Sequence, residues 1–412
     1  MSSMRVTSIG ELVAAGALEI GDGYRTKRAE HGRPGYRIIR VADVMDDAVR
    51  FDGLDFVSDK YANSIGGKAG QAGDVLLTTK GTVGRAAILP ETGERVVYSP
   101  QLCYFRVLNT DAIVPRFLRY WFGSTEFWNQ AANRMNNTDM AAYINLGDIR
   151  SLLVTLPVVS EQRAITDVLG ALDDKIVANS RLITKIGEVL EATFALICGQ
   201  SDATIPFNEL ATVTKGVAYR SADLRTSSTA LVTLKSFHRN GGYSLRGLKD
   251  YAGPFKAAQQ ISPGELVVAQ TDLTQAAEVV GRAVRVPGAP NYEKLVASSD
   301  LAIIRPRTNT PVEFLLGVML QGRFRAHCRS RTSGTTVLHL GSDAIPSFPA
   351  PRVSSDQQKD YAAAARPLLE LRDSLEYEAQ SLGSTRDTLL PQLMSGKLRV
   401  KDAEKVLEGA GV

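Results

Sequence analysis

The chain has 412 residues, of which 44% are hydrophobic and 22% are charged, a composition typical of globular proteins with two or three domains. Its 48 basic and 44 acidic residues give a net charge of +4, which is too mild to indicate a nucleic-acid ligand without local basic patches. No apolar run approaches the roughly 18 residues of a membrane span, and no export signal is evident. The three cysteines are widely spaced, which favours a reducing, cytoplasmic location over a disulfide framework or a metal site.

The two halves of the chain resemble each other at an offset of about 195 residues. The segment GDVLLTTKGTVGRAAILP (73–90) is matched by GELVVAQTDLTQAAEVVGRAVRVP (264–287), with a strand pattern, a polar loop and a second strand pattern in both. VPRFLRYWF (114–122) is matched by TPVEFLLGVML (310–320), a helix start led by proline in both cases. The repeat predicts a β-rich unit followed by a long helix, twice over.

The central segment 160–197 predicts a helix with a single apolar seam. Apolar residues recur in steps of four and three, as in a coiled coil, and Asn179 is a polar residue within the seam. The seam comprises Ile165, Leu169, Leu172, Ile176, Asn179, Ile183, Ile186 and Leu190, continuing to Thr193 and Ile197. At about 1.5 Å per residue this helix is roughly 55 Å long.

A second long helix is predicted from Asp356 to Met394, with a weaker seam. Leucines recur at Leu368, Leu375, Leu382 and Leu389, but the intervening positions include Arg372 and Arg386. Pro367 predicts a kink or a new helix start. We expect the two helices to pair antiparallel; the alternative is that each packs only on its own β-rich unit.

The sequence contains no P-loop, no nucleophile elbow, no HExxH and no CxxC motif. It also lacks the Asn/Asp-Pro-Pro-aromatic tetrapeptide of amino-methyltransferases, and its four histidines are dispersed. These observations favour a binding protein over an enzyme and predict no cofactor or metal site.

Polar segments at matching places in the two halves carry the residue types that bind DNA. They are 24–40 and 133–143 in the first half, and 214–239 and 322–336 in the second. Lys and Arg neutralise phosphates, and Arg, Asn, Gln, Ser and Thr contact base edges. A solvated surface is the alternative for any single segment.

The order of these motifs along the chain, repeated in the two halves, resembles that in the DNA-specificity subunits of type I restriction-modification systems. The likeness lies in LPVVSEQRAITDVLGALDDKIVANSRLI, the weaker PRVSSDQQKDY, GDVLLTTKGTVGRAAI and the terminal LLPQLMSGKLRV, and it covers nearly the whole chain. It implies an α+β fold with two mixed target-recognition domains in tandem, separated by two long helices in an antiparallel coiled coil. The corresponding boundaries are 1–158 and 200–352 for the domains, 159–199 and 353–396 for the helices, and 397–412 for a tail.

The resemblance also implies partners. Each domain would recognise one half of a bipartite site in double-stranded DNA, and the helices would fix the spacing and dock two modification (methyltransferase) subunits. Restriction subunits would join the full complex. S-adenosylmethionine, ATP and Mg would serve those partners, and this chain would be non-catalytic. The alternative is a coiled-coil scaffold that binds proteins and not DNA.

For the two target-recognition domains that the resemblance implies, we predict specific DNA contacts. In the first domain they are Lys80, Thr82, Arg85, Arg134, Asn136 and Asn137, supported by Tyr24, Arg25, Lys27 and Arg28. In the second they are Gln270, Thr271, Thr274, Arg329, Arg331, Ser333, Thr335 and Thr336, supported by Tyr219 and Arg220. Arg85 and Arg282 follow Val-Gly in both halves, so a structural role is the alternative for them. Because the loops differ between the halves, we expect an asymmetric site.

Overall fold

The computed structural model describes residues 4–137, 142–199, 203–238, 242–274, 276–289, 291–307 and 309–409. Residue contacts divide the chain into two compact units. Unit 1 comprises Met1–Lys175 and Leu382–Val412, and unit 2 comprises Ile176–Ser381. The predicted domain boundaries stay predictions, and the one at residue 200 lies outside the described residues.

Unit 1 combines short strands with short helices. Its strands are β1 (Arg5–Ser8), β2 (Leu18–Asp22), β3 (Gly35–Ile39), β4 (Val44–Met45), β5 (Ala48–Val49), β6 (Phe56–Ser58), β7 (Val75–Thr78), β8 (Ala86–Ile88), β9 (Val96–Tyr98), β10 (Leu102–Val107), β11 (Asn136–Asn137), β12 (Ala142–Tyr143) and β13 (Leu153–Leu156). Its short helices are α1 (Ile9–Ala14), α2 (Ala62–Ile65), α3 (Pro115–Phe122), α4 (Thr125–Ala132) and α5 (Leu146–Arg150).

Two long helices follow the two β-rich segments. They are α6 (Val159–Cys198) and, after unit 2's strands, α9 (Ser355–Met394); the short α10 (Val400–Gly409) comes last. Unit 2's strands are β14 (Thr204–Pro206), β15 (Ala211–Lys215), β16 (Thr229–Val232), β17 (Lys249–Asp250), β18 (Gln260–Ile261), β19 (Leu266–Ala269), β20 (Thr271–Asp272), β21 (Ala283–Arg285), β22 (Lys294–Ala297), β23 (Leu301–Pro306), β24 (Thr332–Ser333), β25 (Leu338–Leu340) and β26 (Pro349–Pro351). Its short helices are α7 (Val312–Leu320) and α8 (Gly322–Arg329).

The predicted repeat is confirmed in the order of the strands. Unit 1 has a sheet in the order β2-β10-β7-β8, and unit 2 has the matching order β15-β23-β19-β21. The neighbouring sheets also match, because each contains one parallel pair, β3 with β9 in unit 1 and β16 with β22 in unit 2. The fold is therefore α+β, with two similar mixed units in tandem, as predicted.

A glycine followed by an acidic residue directly precedes the same strand in both units, β7 in unit 1 and β19 in unit 2. Gly73 and Gly264 have φ of +89° and +90°, a conformation that glycine adopts without strain. The next residue forms an ion pair with an arginine of the central strand, Asp74 with Arg106 at 2.8 Å and Glu265 with Arg305 at 2.6 Å. The motif recognised in the sequence is thus a structural turn shared by the two units.

The seam of α6 is largely buried. Ile165, Leu169 and Leu172 lie in unit 1, and Ile186 and Leu190 lie in the core of unit 2; all five are less than 9% exposed. Ile176 and Ile183 are half-buried. Asn179 is 2% exposed, and its side-chain amide donates to Glu378 Oε2 at 2.7 Å. This polar seam position therefore has a specific partner on the other long helix.

The two long helices contact each other in both units and run antiparallel in unit 2. In unit 2 the Gln357 amide donates to the Ile197 carbonyl at 3.0 Å, and Phe194 packs edge-on against Tyr361. In unit 1, Arg386 bonds Asp173 at 2.8 Å. In unit 2 the residue numbers rise along one helix as they fall along the other, so the predicted antiparallel pairing is confirmed there.

The seam of α9 differs from the prediction at the proline. The helix is continuous from Ser355 to Met394, so Pro367 does not start a new helix. Pro367 is exposed, and the missing N–H bond of a proline is tolerated more readily where water can reach the carbonyl it would have bonded. Leu375, Leu382 and Leu389 are buried, and Leu368 is half-buried.

Candidate nucleic-acid interface

In unit 1 two of the predicted DNA-binding segments leave the same end of the main sheet. Strand β2 ends opposite Cys103 and strand β7 ends opposite Leu102. Beyond these ends, the Gly23 N–H donates to the Leu102 carbonyl at 3.2 Å and the Thr79 N–H to the Gln101 carbonyl at 2.9 Å. The segment beginning at Tyr24 and the β7–β8 loop (residues 79–85) therefore start side by side.

The hairpin of β11 and β12 lies against the β7–β8 loop. The Gly81 N–H donates to the Ala142 carbonyl at 3.1 Å, and the Ile144 N–H donates to the Thr79 carbonyl at 3.0 Å. Lys80 pairs with Tyr143 through an isolated bridge. The structure thus brings Lys80 and Thr82, both exposed, beside the strand formed by Asn136 and Asn137, whose side chains lie outside the described residues.

The two predicted arginines of unit 1 make internal hydrogen bonds. The Arg85 guanidinium donates to the Val44 carbonyl at 3.4 Å. Arg134 follows α4, and it donates to Ser151 Oγ at 3.0 Å and to the Gln130 carbonyl at 3.2 Å. Both side chains are half-buried, so only part of each guanidinium faces solvent. Their assignment to DNA stays a prediction.

The supporting residues of unit 1 lie on the segment after β2. Tyr24 is half-buried against Ile38, Val57 and other apolar residues, and this burial, followed by the nearby Glu30, raises the pKa of its phenol. Arg25, Lys27 and Arg28 are exposed. The tyrosine anchors the segment, and the three cations remain available to an anionic ligand.

Unit 2 repeats this arrangement. The Gly216 N–H donates to the Leu301 carbonyl at 3.1 Å, and the Gln270 N–H donates to the Asp300 carbonyl at 2.7 Å. The segment containing Tyr219 and the β19–β21 loop (residues 270–282) therefore leave the same end of the sheet. Tyr219 is half-buried below the Lys249 ammonium, and Arg220 is exposed.

A small sheet joins the β19–β21 loop to the segment after α8. β20 pairs with β25, with Thr271 opposite His339, and β24 pairs with the other edge of β25. The Leu340 N–H also donates to the Gln270 carbonyl at 2.8 Å. The β19–β21 loop and the segment after α8, which both contain predicted DNA contacts and are about 60 residues apart in the sequence, are therefore neighbours.

Two predicted threonines of unit 2 are engaged inside the unit. Thr271 is 6% exposed, and its hydroxyl donates to Asp300 Oδ1 at 3.1 Å. The Thr274 hydroxyl donates to Asp272 Oδ1 at 2.9 Å. Gln270 is half-buried. The structure gives both hydroxyls a role in shaping the loop, and contact with DNA stays a prediction for all three.

The segment after α8 is exposed. Arg329 donates to the Ala276 carbonyl at 3.1 Å, and Arg331 lies 3.1 Å from His327 Nδ1. Ser333, Thr335 and Thr336 are exposed beyond them. Hydroxyls and guanidinium groups that face solvent at one end of a sheet match the donors and acceptors of phosphates and base edges.

One residue that packs against the β7–β8 loop in unit 1, and one that bonds the β19–β21 loop in unit 2, were not among the residues predicted from the sequence. Trp128 on α4 packs so closely on Gly84 that a Cβ on that glycine would lie 2.2 Å from the indole. The residue after the equivalent phenylalanine in α8 is Arg325, which donates to the carbonyls of Ala277 and Glu278 at 3.1 and 2.8 Å. The shared Phe in "EFWNQ" and "RFRAH" is the signal that could have revealed this pair.

Positive charge is concentrated beneath the β19–β21 loop. Burial and then the nearby Arg329 lower the pKa of Arg325, while burial and then Arg325 lower the pKa of Arg282. Guanidinium groups stay protonated despite such shifts, and Asp272 and Glu278 act on the pKa of Arg325 in the opposite direction, so two acids partly offset the three cations.

No group of His, Cys, Asp or Glu suited to holding a metal ion occurs among the described residues. Within the same residues, no helix is both long and apolar enough to cross a membrane.

Comparisons with known proteins agree with this architecture. Residues 1–188 match the family model described as type I restriction modification DNA specificity domain. The S subunit of a type I restriction-modification system from M. genitalium is 14% identical, with a TM-score of 0.56 over 95% of this chain and 96% of that one. The HsdS subunit from Thermoanaerobacter tengcongensis is 16% identical, with a TM-score of 0.34 over 96% and 97%. No curated protein matches the sequence.

Residues 1–188 therefore match a type I restriction-modification DNA specificity domain, and the fold of the chain is similar to that of the M. genitalium S subunit. The resemblance seen in the sequence motifs is confirmed.

Proposed function

We propose that this chain recognises an asymmetric bipartite site in double-stranded DNA, with each unit contacting one half-site. One observation carries the proposal. In both units, polar segments that are distant in the sequence meet at the same end of equivalent sheets, and they differ in sequence between the units. A protein with an internal repeat is suited to two half-sites, and different contact residues suit two different half-sites.

The long helices α6 and α9 are proposed to hold the two half-site contacts at a fixed spacing and to dock two methyltransferase subunits. Their contacts in both units, antiparallel in unit 2, support a rigid spacer, since a paired helix resists bending more than a single one. The reactions are proposed to occur on the partners. Methyl transfer would use S-adenosylmethionine there, and restriction subunits, where present, would use ATP and Mg.

The proposal is tested by mapping methylated bases across the genome of cells that carry the methyltransferase subunit, with and without this chain. We expect methylation at two different short sequences separated by a constant gap, and its loss when the chain is absent. Sequence-independent methylation, or methylation unaffected by removing the chain, would contradict the proposal.

The scaffold alternative makes a different prediction. A scaffold that only joins protein subunits would leave the complex without preference between DNA duplexes in a mobility-shift assay. The proposed function requires that a duplex with the mapped site is bound more tightly than one with either half scrambled.

A further inference from the structure

A single buried carboxylate organises the β19–β21 loop of unit 2. Asp272 is 3% exposed and accepts four hydrogen bonds. One oxygen accepts from the Thr274 N–H and from its hydroxyl, both at 2.9 Å. The other accepts from the N–H groups of Val279 and Val280 at 2.6 and 3.1 Å. The carboxylate therefore joins the beginning of the loop to its end.

These bonds match the ionised form of the side chain. Burial alone would raise the pKa of Asp272, but the backbone N–H groups of Val279, Thr274 and Val280 outweigh it and hold the pKa below its ordinary value. An ionised carboxylate accepts bonds at both oxygens and donates none.

Three arginines, one of them the last residue of the loop, donate to carbonyls of the same loop. Arg325 donates to the carbonyls of Ala277 and Glu278, Arg282 donates to Glu278 at 2.7 Å, and Arg329 donates to Ala276 at 3.1 Å. The loop is thus held through its N–H groups by an acid and through its carbonyls by cations. Ala277 has a φ of +52°, a strained conformation that persists only where the surroundings fix it.

Unit 1 forms the equivalent hairpin without such support. Its loop spans residues 79–85, against 270–282 in unit 2, and it contains no acidic residue. The sheet strands pair in the same way in both units, so the fold of the sheet does not require the longer loop or Asp272. The greater length of the unit 2 loop and the hydrogen bonds of Asp272 therefore have a reason other than the folding of the sheet.

We propose that Asp272 is a positioning residue for DNA recognition by unit 2. It does not contact DNA; it fixes the β19–β21 loop in the conformation in which the loop and the neighbouring segment 329–336 contact their half-site. This inference rests on the proposed function.

Asp272→Asn is the direct test, because it preserves the shape of the side chain. The amide keeps one oxygen acceptor and directs N–H donors toward the N–H groups of the loop, which loosens it. A flexible loop must be ordered on binding, and misplaced contacts discriminate less between bases. Asp250→Asn is the matched control, since Asp250 in the same unit accepts a bond from the Tyr292 hydroxyl at 2.8 Å.

The measurement is methylated-base mapping in cells that express the full complex, together with the thermal unfolding midpoint of the purified chain. We expect Asp272→Asn to reduce discrimination at one half-site by roughly tenfold, the size of one good base contact, with the other half-site unchanged. Asp250→Asn should give the same methylated sequence, at both half-sites, as the unaltered chain. Asp272→Glu keeps the charge but displaces the carboxylate; it should show a smaller effect at the same half-site and decides the question if Asp272→Asn fails to fold.

An unchanged site in both Asp272→Asn and Asp272→Glu, or equal loss at both half-sites, overturns the inference. If the unaltered chain itself directs no sequence-specific methylation, the proposed function fails instead, so the two failures are distinguishable.

Discussion

The place where the long helices meet a short helix is charged in unit 1 and aromatic in unit 2. In unit 1, Arg386 bonds Asp173 at 2.8 Å and Asp47 at 2.9 Å, and the Tyr120 hydroxyl donates to Asp173. Arg119 forms an ion pair with Asp47. We call these five residues the charged junction.

In unit 2 the matching place is the aromatic junction of Phe194, Phe314, Gly317 and Tyr361. Phe194 stacks on Phe314 with ring centroids 5.8 Å apart and meets Tyr361 at 5.1 Å. Gly317 is required there, since a Cβ would lie 2.5 Å from the Phe194 ring. A Phe-Leu pair precedes Arg119 and Tyr120 in unit 1, and another precedes Leu316 and Gly317 in unit 2. Leu316 and Gly317 therefore occupy the positions of Arg119 and Tyr120.

The comparison shows that one backbone arrangement tolerates two chemistries at its helix junction. Apolar rings are stabilised by removal from water and need little orientation. Buried ion pairs add little net stability, but breaking one by removing a single partner is strongly destabilising. The two junctions should therefore respond differently to substitution.

The largest effect is expected in the aromatic junction. Phe194→Ala removes a ring that is 1% exposed and should lower the free energy of unfolding of unit 2 by about 3–5 kcal/mol, through lost burial and a cavity. Denaturant unfolding of the full chain measures the change. Leu196→Ala on the same helix is the control, because Leu196 is 73% exposed and should change stability by less than about 0.5 kcal/mol. Equal losses for both variants would show that burial at Phe194 is not what stabilises this junction.

A smaller loss is expected in the charged junction. Arg386→Ala leaves Asp173 and Asp47 with one fewer cation, and it should lower the free energy of unfolding by about 1.5–3 kcal/mol, the range for hydrogen bonds to charged groups. Hydrogen exchange should quicken in residues 168–175 and 382–394 of unit 1. Arg399→Ala, an exposed arginine in the same unit, is the control. Unchanged exchange in Arg386→Ala would mean that the junction does not depend on this arginine.

The smallest effect concerns pH in unit 2. Burial raises the pKa of Asp373 from 3.8 to about 6, against the opposing effect of Arg285 2.9 Å away. A raised carboxyl pKa in the folded state gives a stabilising contribution that is present below pH 3.8 and is lost as the pH rises to about 6.

We therefore expect Asp373→Asn to flatten the change in stability between pH 4 and pH 6 relative to the unaltered chain. Unfolding midpoints at several pH values over this window test it. A pH dependence that is identical in the two chains would mean that Asp373 does not titrate differently on folding.

Much of the fold could be predicted from the sequence because the signals are periodic or repeated. The heptad steps of α6 identify Leu169, Leu172 and Leu190 as buried, and the repeat identifies the matching hairpins. Of the two outcomes predicted for Pro367, a kink or a new helix start, the new start does not occur, because an exposed proline loses only one backbone bond. The arginines in the seam of α9 weakened its pattern, since charges paired across space, such as Arg386 with Asp173, leave no periodic signal.

The candidate site was less predictable. Residue types identified segments that the structure brings together at one end of each main sheet, but not which of their side chains are exposed. Thr271 and Thr274 look like DNA contacts in the sequence and are engaged in internal hydrogen bonds. Asp272 and Arg325 went unnoticed because their importance comes from bonds to a loop whose conformation the sequence does not reveal.

The central claim is that each unit recognises its own half-site. Arg134→Ala and Arg331→Ala test it most directly, because these arginines follow the equivalent helices α4 and α8 of the two units. Methylated-base mapping with each variant in the full complex should show recognition weakened at one half-site for Arg134→Ala and at the other for Arg331→Ala. If both variants alter the same half-site, or neither alters the methylated sequence while the chain stays folded, the claim is contradicted.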